Sequence, residues 1–205
     1  MSDNDVKRNF AQFGGKMLIL AILALIGFII GVISLFVAAA GYVGYVIQIA
    51  SLIVLILALV NIGKIAKKLN NRDLSSFRSK IILALILSFI GGILFAIGLA
   101  AILAIAYGPD PGAWEGYVVF GIMALIGLVL MIVGAILEIL AWNDLKHFFR
   151  DNKSMFPEPI GKSAESGSKF LMIGSIFTLT IILAFIGFIF RVIGYFKLSA
   201  LKKLK

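Results

Sequence analysis

The chain has 205 residues, of which 61% are apolar and only 14% charged, with 19 Lys and Arg against 10 Asp and Glu and no Cys. A soluble domain carries roughly 45–50% apolar and about 25% charged residues, and one of this length has too little interior to hide the excess. Disordered chains, collagens, coiled coils and secreted disulfide scaffolds are excluded, which leaves an all-α, polytopic transmembrane helical bundle.

A membrane-crossing helix needs about 20 mostly apolar residues, because the hydrocarbon core is about 30 Å thick. Five stretches qualify: Met17–Ala40, Gly44–Ile62, Ile81–Tyr107, Tyr117–Trp142 and Phe170–Phe196. None alternates apolar and polar residues as barrel strands do. The first is too long for the apolar region of a signal peptide and is followed at once by a second, so it reads as a retained helix.

Turn residues divide the stretches. Gly41-Tyr42-Val43-Gly44 is expected to break the first pair, and Gly108-Pro109-Asp110-Pro111-Gly112 the second. Short breaks make each pair an antiparallel hairpin. The connection Gly63–Lys80 is polar and basic, and Lys64–Leu69 is expected to carry the second helix out to water. The longest connection holds Pro157, Pro159, Gly161 and several serines, and residues 151–168 read as a mobile cytoplasmic loop.

Lys and Arg collect in cytoplasmic loops. Lys7, Arg8 and Lys16 precede the first span. Lys64, Lys67, Lys68, Arg72, Arg78 and Lys80 follow the second. Lys146, Arg150, Lys153, Lys162 and Lys169 follow the fourth. The first and third connections carry none, and the third holds Asp110 and Glu115. This asymmetry predicts a multi-pass protein of the cell membrane with a cytoplasmic N-terminus. The expected partners are the lipid bilayer with its anionic headgroups, and either a second copy of the chain or a membrane subunit. The basic residues sit at span ends, so nucleic acid is not expected as a partner.

The two hairpins form an internal repeat, residues 13–76 and 77–150, followed by a fifth span in 169–205. Phe13-Gly14-Gly15-Lys16 recurs as Phe77-Arg78-Ser79-Lys80. Ile22, Leu23, Ile26, Gly27 and Ile29 recur as Ile86, Leu87, Ile90, Gly91 and Ile93. The fifth span reads as a partial third unit, and all three make one integral membrane domain. Tandem apolar hairpins with an Ile-Gly pair, each closed by a Lys-rich exit, resemble a group of small archaeal multi-pass membrane proteins of unknown function. The resemblance covers most of residues 13–205. It implies membrane location and a helical fold, and it supplies no catalytic or binding residue.

Small residues inside spans let helix backbones approach. Gly27 and Gly31, four apart, are expected to pack helices, as are Gly91 and Gly127, with Gly134 beside them. Polar groups inside spans are few. Gln48, Glu138 and Arg191 form the candidate polar intramembrane site, and a path for a small transporter or channel would run near Gln48, Ser51, Ser88 and Glu138, with Ser175, Thr178 and Thr180 the other span hydroxyls able to line it. His147 is the only histidine, so no metal or other cofactor site of the usual kind is expected. His147 lies among Phe148, Phe149 and Arg150, a stretch that suits the headgroup layer. No catalytic residue set is recognisable, and the favoured reading is a non-catalytic structural or accessory subunit rather than an enzyme.

Two rules conflict at the C-terminus. Phe170–Phe196 is long enough to cross once and contains no Pro, which favours a full fifth crossing. That crossing leaves Lys197, Lys202, Lys203 and Lys205 outside, against the charge rule. A re-entrant hairpin would keep those lysines inside, but length and the absence of a turn signal favour the crossing, with an outer C-terminus.

Overall fold

A computed structural model describes residues 3–37, 39–107, 114–180 and 183–204, with only the backbone at 3 and 114. The described residues are helical apart from short turns, without a strand. The helices are α1 (Asp3–Ser34), α2 (Ala39–Leu69), α3 (Arg72–Ala106), α4 (Trp114–Asp151), α5 (Glu158–Leu179) and α6 (Ala184–Leu198). A 3₁₀ turn, Lys153–Met155, precedes α5, and another, Ser199–Lys203, follows α6. Five segments are long and apolar enough to cross a membrane: Asn4–Ser34, Ala39–Leu69, Arg72–Ala106, Glu115–Asp151 and Ala184–Lys203.

The second and fourth expected spans lie within α2 and α4 and the third ends one residue past α3, but the first, Met17–Ala40, overruns the end of α1 at Ser34 and reaches into α2. The first turn does not fall at Gly41–Gly44. It falls at Leu35–Val37, where Leu35 N–H donates to the Val32 carbonyl and Val37 N–H to that of Ile33. Gly41 and Gly44 lie inside α2, because glycine is tolerated in membrane helices where packing or lipid holds the backbone. The Gly108–Gly112 turn lies outside the described residues.

The fifth span is corrected. Phe170–Phe196 is not one helix: α5 stops at Leu179, and Thr180 is extended at its end, with φ −96° and ψ 108°. The chain then returns as α6, antiparallel to α5. Gly167 lies opposite Gly194 and Gly174 opposite Gly187, with a Cβ at any of these 2.8–2.9 Å from the facing glycine's carbonyl oxygen. The 3₁₀ turn after α6 reaches the start of α1, where a Cβ on Gly14 would stand 2.5 Å from the Lys202 backbone nitrogen. The physical reason is the glycine seam. Without Cβ atoms the two legs approach closely enough for dispersion contacts to hold a short hairpin together.

The loop expected over residues 151–168 is also corrected. Most of it is α5, with Pro157 as N-cap and Pro159 in the first turn. Proline there forfeits no intrahelical bond, since the first N–H groups have no partner within the helix. Gly161, Ala164, Gly167 and Ser168 are buried, so the small residues that suggest a loop are the contact face of a helix.

The chain divides into two compact units, Met1–Arg78 with Ile139–Lys205, and Ser79–Glu138. The first unit contains the largest buried side chains: Phe10, Phe13, Met17, Ile62, Ile65, Leu74, Phe77, Trp142, Leu145, Phe148, Phe149 and Leu171. These come from the basic ends of their helices. Phe10 packs on Phe148, Phe149 and Phe156 at ring separations of 5.7, 6.1 and 5.1 Å, and Phe77 packs on Trp142 at 5.2 Å. Phe148 and Phe149 are therefore core residues and not headgroup anchors. Beside them, His147 Nδ1 lies 3.3 Å from Arg150 Nη2.

The second unit is the hairpin of α3 and α4. A Cβ on Gly91 would stand 2.6 Å from the Gly127 carbonyl oxygen, and one on Gly127 2.5 Å from the Phe95 nitrogen. Gly98 faces Phe120 and Ala124, and Gly134 faces Ala84 and Ser88. Backbone meets backbone along this seam.

Candidate functional site

The hairpin of α1 and α2 is built differently from its repeat. A Cβ on Gly27 would meet Ile47 Cγ2 at 3.4 Å, and one on Gly44 would meet Ile30 Cγ2 at 3.9 Å. Gly31 and Gly41 have nothing within 4 Å. Gly31 therefore does not make the close packing contact expected of it: a Cβ there would meet nothing within 4 Å. Ile30 and Ile47, standing between the helices, hold them apart where the other hairpin sets glycine against glycine.

The space belongs to a groove of about 740 Å³ lined by α1, α2 and α6. Leu20, Leu23, Ala24, Gly27, Phe28 and Gly31 form one wall, and Gly41, Gly44, Tyr45 and Ile47 another. Phe188 and Tyr195 of α6 complete it. Phe28 stacks on Phe188 at 4.8 Å and approaches Phe185 at 5.8 Å, which ties the C-terminal hairpin to α1. Towards the basic end α1 is sealed, since Phe13 and Met17 are fully buried and Leu20 nearly so.

Gln48, Ser51 and Arg191 line this groove. Ser51 Oγ donates to the Ile47 carbonyl at 2.8 Å, and Ser34 Oγ, near the other end, to the Gly31 carbonyl at 2.7 Å. Arg191 Nη2 donates to Ser175 Oγ at 3.4 Å, and Ser175 Oγ donates to the Leu171 carbonyl at 3.0 Å. Thr178 bonds back to Gly174 and Ser168 to Ala164 in the same way. Hydroxyls bonded to their own helix offer a passing solute little.

Of the expected polar site, the fold brings Gln48 and Arg191 to one groove. Glu138, half-buried on α4, closes the other unit and is not among the lining residues. Ser88 lies against Gly134 in that unit. Ser175 is one of the hydroxyls the sequence offers for a polar path, whereas Tyr195 carries no such signal. In the fold Ser175 is fully buried and orients Arg191.

Chemically the groove is an apolar trough with an amide and a guanidinium on its wall. No three His, Cys, Asp or Glu side chains gather among the described residues. Comparison with known proteins finds no matching family model, no matching curated protein and no matching solved structure.

Proposed function

We propose that the chain is a non-catalytic, multi-pass protein of the cell membrane, structural or accessory to other membrane components. Its N-terminus and its basic connections lie on the cytoplasmic side. The antiparallel return of α6 on α5 supports placing Lys197, Lys202 and Lys203 on that side as well, in keeping with the charge rule.

The observation that carries the reading is the sealed basic end of the groove. Met17, Phe13 and Phe10 stand in line below Leu20 and are all buried. A solute entering between α1 and α2 meets packed aromatic rings rather than a polar exit. A carrier or channel needs ionisable or hydrogen-bonding groups along a path, and the span hydroxyls described above bond their own helices.

The test is reconstitution. Purified protein in liposomes is expected to leave proton, sodium and potassium gradients undisturbed. Crosslinking in whole membranes is expected to capture a second copy or another membrane subunit in fixed ratio. Ion flux that Gly31→Phe abolishes by filling the groove would overturn the reading in favour of a transporter.

A further inference from the structure

The turn between α2 and α3 is built by two asparagines. Asn70 takes φ 46°, the left-handed conformation that ends helices. Asn71 N–H then donates to the Ala66 carbonyl at 3.1 Å, the bond that closes a Schellman turn. The Asn71 side chain caps the next helix, its Oδ1 accepting from Leu74 N–H at 3.0 Å. Both helix ends are satisfied, so the turn is rigid.

Beside this turn lies a polar pocket of about 430 Å³, lined by Gly63, Lys67, Asn70, Arg72, Ser75 and Arg78 among others. Lys67, Arg72 and Arg78 form no ion pair among the described residues. Asp73 is the one carboxylate in residues 63–78 and is not part of the lining. Gly63 makes room for one of the cations: a Cβ there would stand 2.9 Å from Arg78 Nε. Three positive side chains and a hydroxyl thus share one small basin with no protein anion in it.

We infer that this pocket binds the phosphate of an anionic lipid headgroup. Guanidinium forks suit phosphate oxygens, and basic pockets between helices at the cytoplasmic face are apt to hold lipid headgroups. Depth selects lipid over soluble phosphate. Gly63 follows the last apolar residue of the second span, and Arg78 stands just before Ile81, where the third begins. The pocket extends from that boundary to Asn70, roughly 10 Å of helix at 1.5 Å per residue. The headgroup layer outside the hydrocarbon is about 5–8 Å deep on each side. This inference rests on the membrane reading above and gives one of its basic faces a specific occupant.

The test follows melting of the detergent-solubilised chain by tryptophan fluorescence. Phosphatidylglycerol is expected to raise Tm by about 5 °C at saturation. Phosphatidylcholine, and inorganic phosphate at the same phosphate concentration, are expected to give little shift. Lys67→Gln/Arg72→Gln/Arg78→Gln is expected to lose most of the shift, while the charge-matched Lys7→Gln/Lys202→Gln/Lys203→Gln keeps it. Equal loss in both triples would mean diffuse attraction and overturn the site. An equal shift from inorganic phosphate would overturn the lipid assignment. Should the first triple fail to fold, Gly63→Ala decides. It keeps every charge but displaces the Arg78 guanidinium, and an undiminished shift would overturn the proposal. Liposome flux, not this assay, tests the non-catalytic reading, so failure of one is distinguishable from failure of the other.

Discussion

Gly174 and Gly187 face each other across the C-terminal hairpin so closely that a Cβ on either would lie 2.8 Å from the other's carbonyl oxygen. Backbone cannot yield there as a side-chain tip can. Gly174→Ala and Gly187→Ala are each expected to destabilise the detergent-solubilised protein by about 1–3 kcal/mol, read as a lowered melting temperature. Gly15→Ala, with nothing within 4 Å, is the control. It is expected to be neutral or to stabilise by up to about 1 kcal/mol through helix propensity.

The two glycine pairs of the repeat should respond in opposite ways. Gly91→Leu drives a side chain into the Gly127 carbonyl and is expected to cost about 1–3 kcal/mol or more. Gly31→Leu enters open space and is expected to leave melting unchanged or slightly raised. Equal losses at both positions would show that α1 and α2 close together in the membrane.

The direction of the chain is open to labelling, since there is no native cysteine. Tyr42→Cys, at a position 76% exposed, is expected to react with a membrane-impermeant maleimide in intact cells. Lys203→Cys is expected to react only after lysis. Labelling of both in intact cells would restore the single fifth crossing.

Phe10 is 1% exposed and touches three other phenylalanine rings. Phe10→Ala is expected to cost about 3–5 kcal/mol. Phe89→Ala, at a ring 68% exposed, removes only contact with lipid or detergent and is expected to cost far less. Denaturant titration in mild detergent measures both.

At the start of α5, Lys162 Nζ lies 2.5 Å from Glu158 Oε1. The hydrogen bond holds the Glu158 carboxyl below its ordinary range and raises the Lys162 ammonium above its own. The carboxylate's contribution is complete above its unfolded value and disappears as pH falls through the lowered folded one. The ammonium's contribution is complete below its unfolded value and is lost as pH rises through the raised folded one. Exchange of the Ile160 and Gly161 amides, both bonded to the Pro157 carbonyl, is expected to quicken relative to intrinsic rates at either extreme. Glu158→Gln is expected to remove that dependence.

Much of this fold is legible because lipid is a demanding solvent. Four runs of apolar residues must be helices, and Gly91 and Gly127 are small where two helices touch. The break after Leu179 escapes such reading. Around it stand only Thr, Ile and Leu, residues that signal no turn. What bends the chain is the distant fit of Gly167 to Gly194 and of Gly174 to Gly187, a pairing no local window contains. The charges of Lys197, Lys202 and Lys203 did point to the return, and span length outweighed them. Phe148 and Phe149 misled in the other direction. Flanked by His147 and Arg150 they resemble interfacial residues, yet Phe10, far away in the chain, buries them.

The contact of Gly14 with Leu201 and Lys202 sets an order of events during synthesis. Gly14 leaves the ribosome long before Leu201 exists, so the cleft at the start of α1 stands open while the spans enter the bilayer one after another. Docking of the final 3₁₀ turn then acts as a latch. A chain that ends before it would keep its long apolar helices yet leave Gly14 without the backbone that packs on it, so the last residues made finish a site near the first.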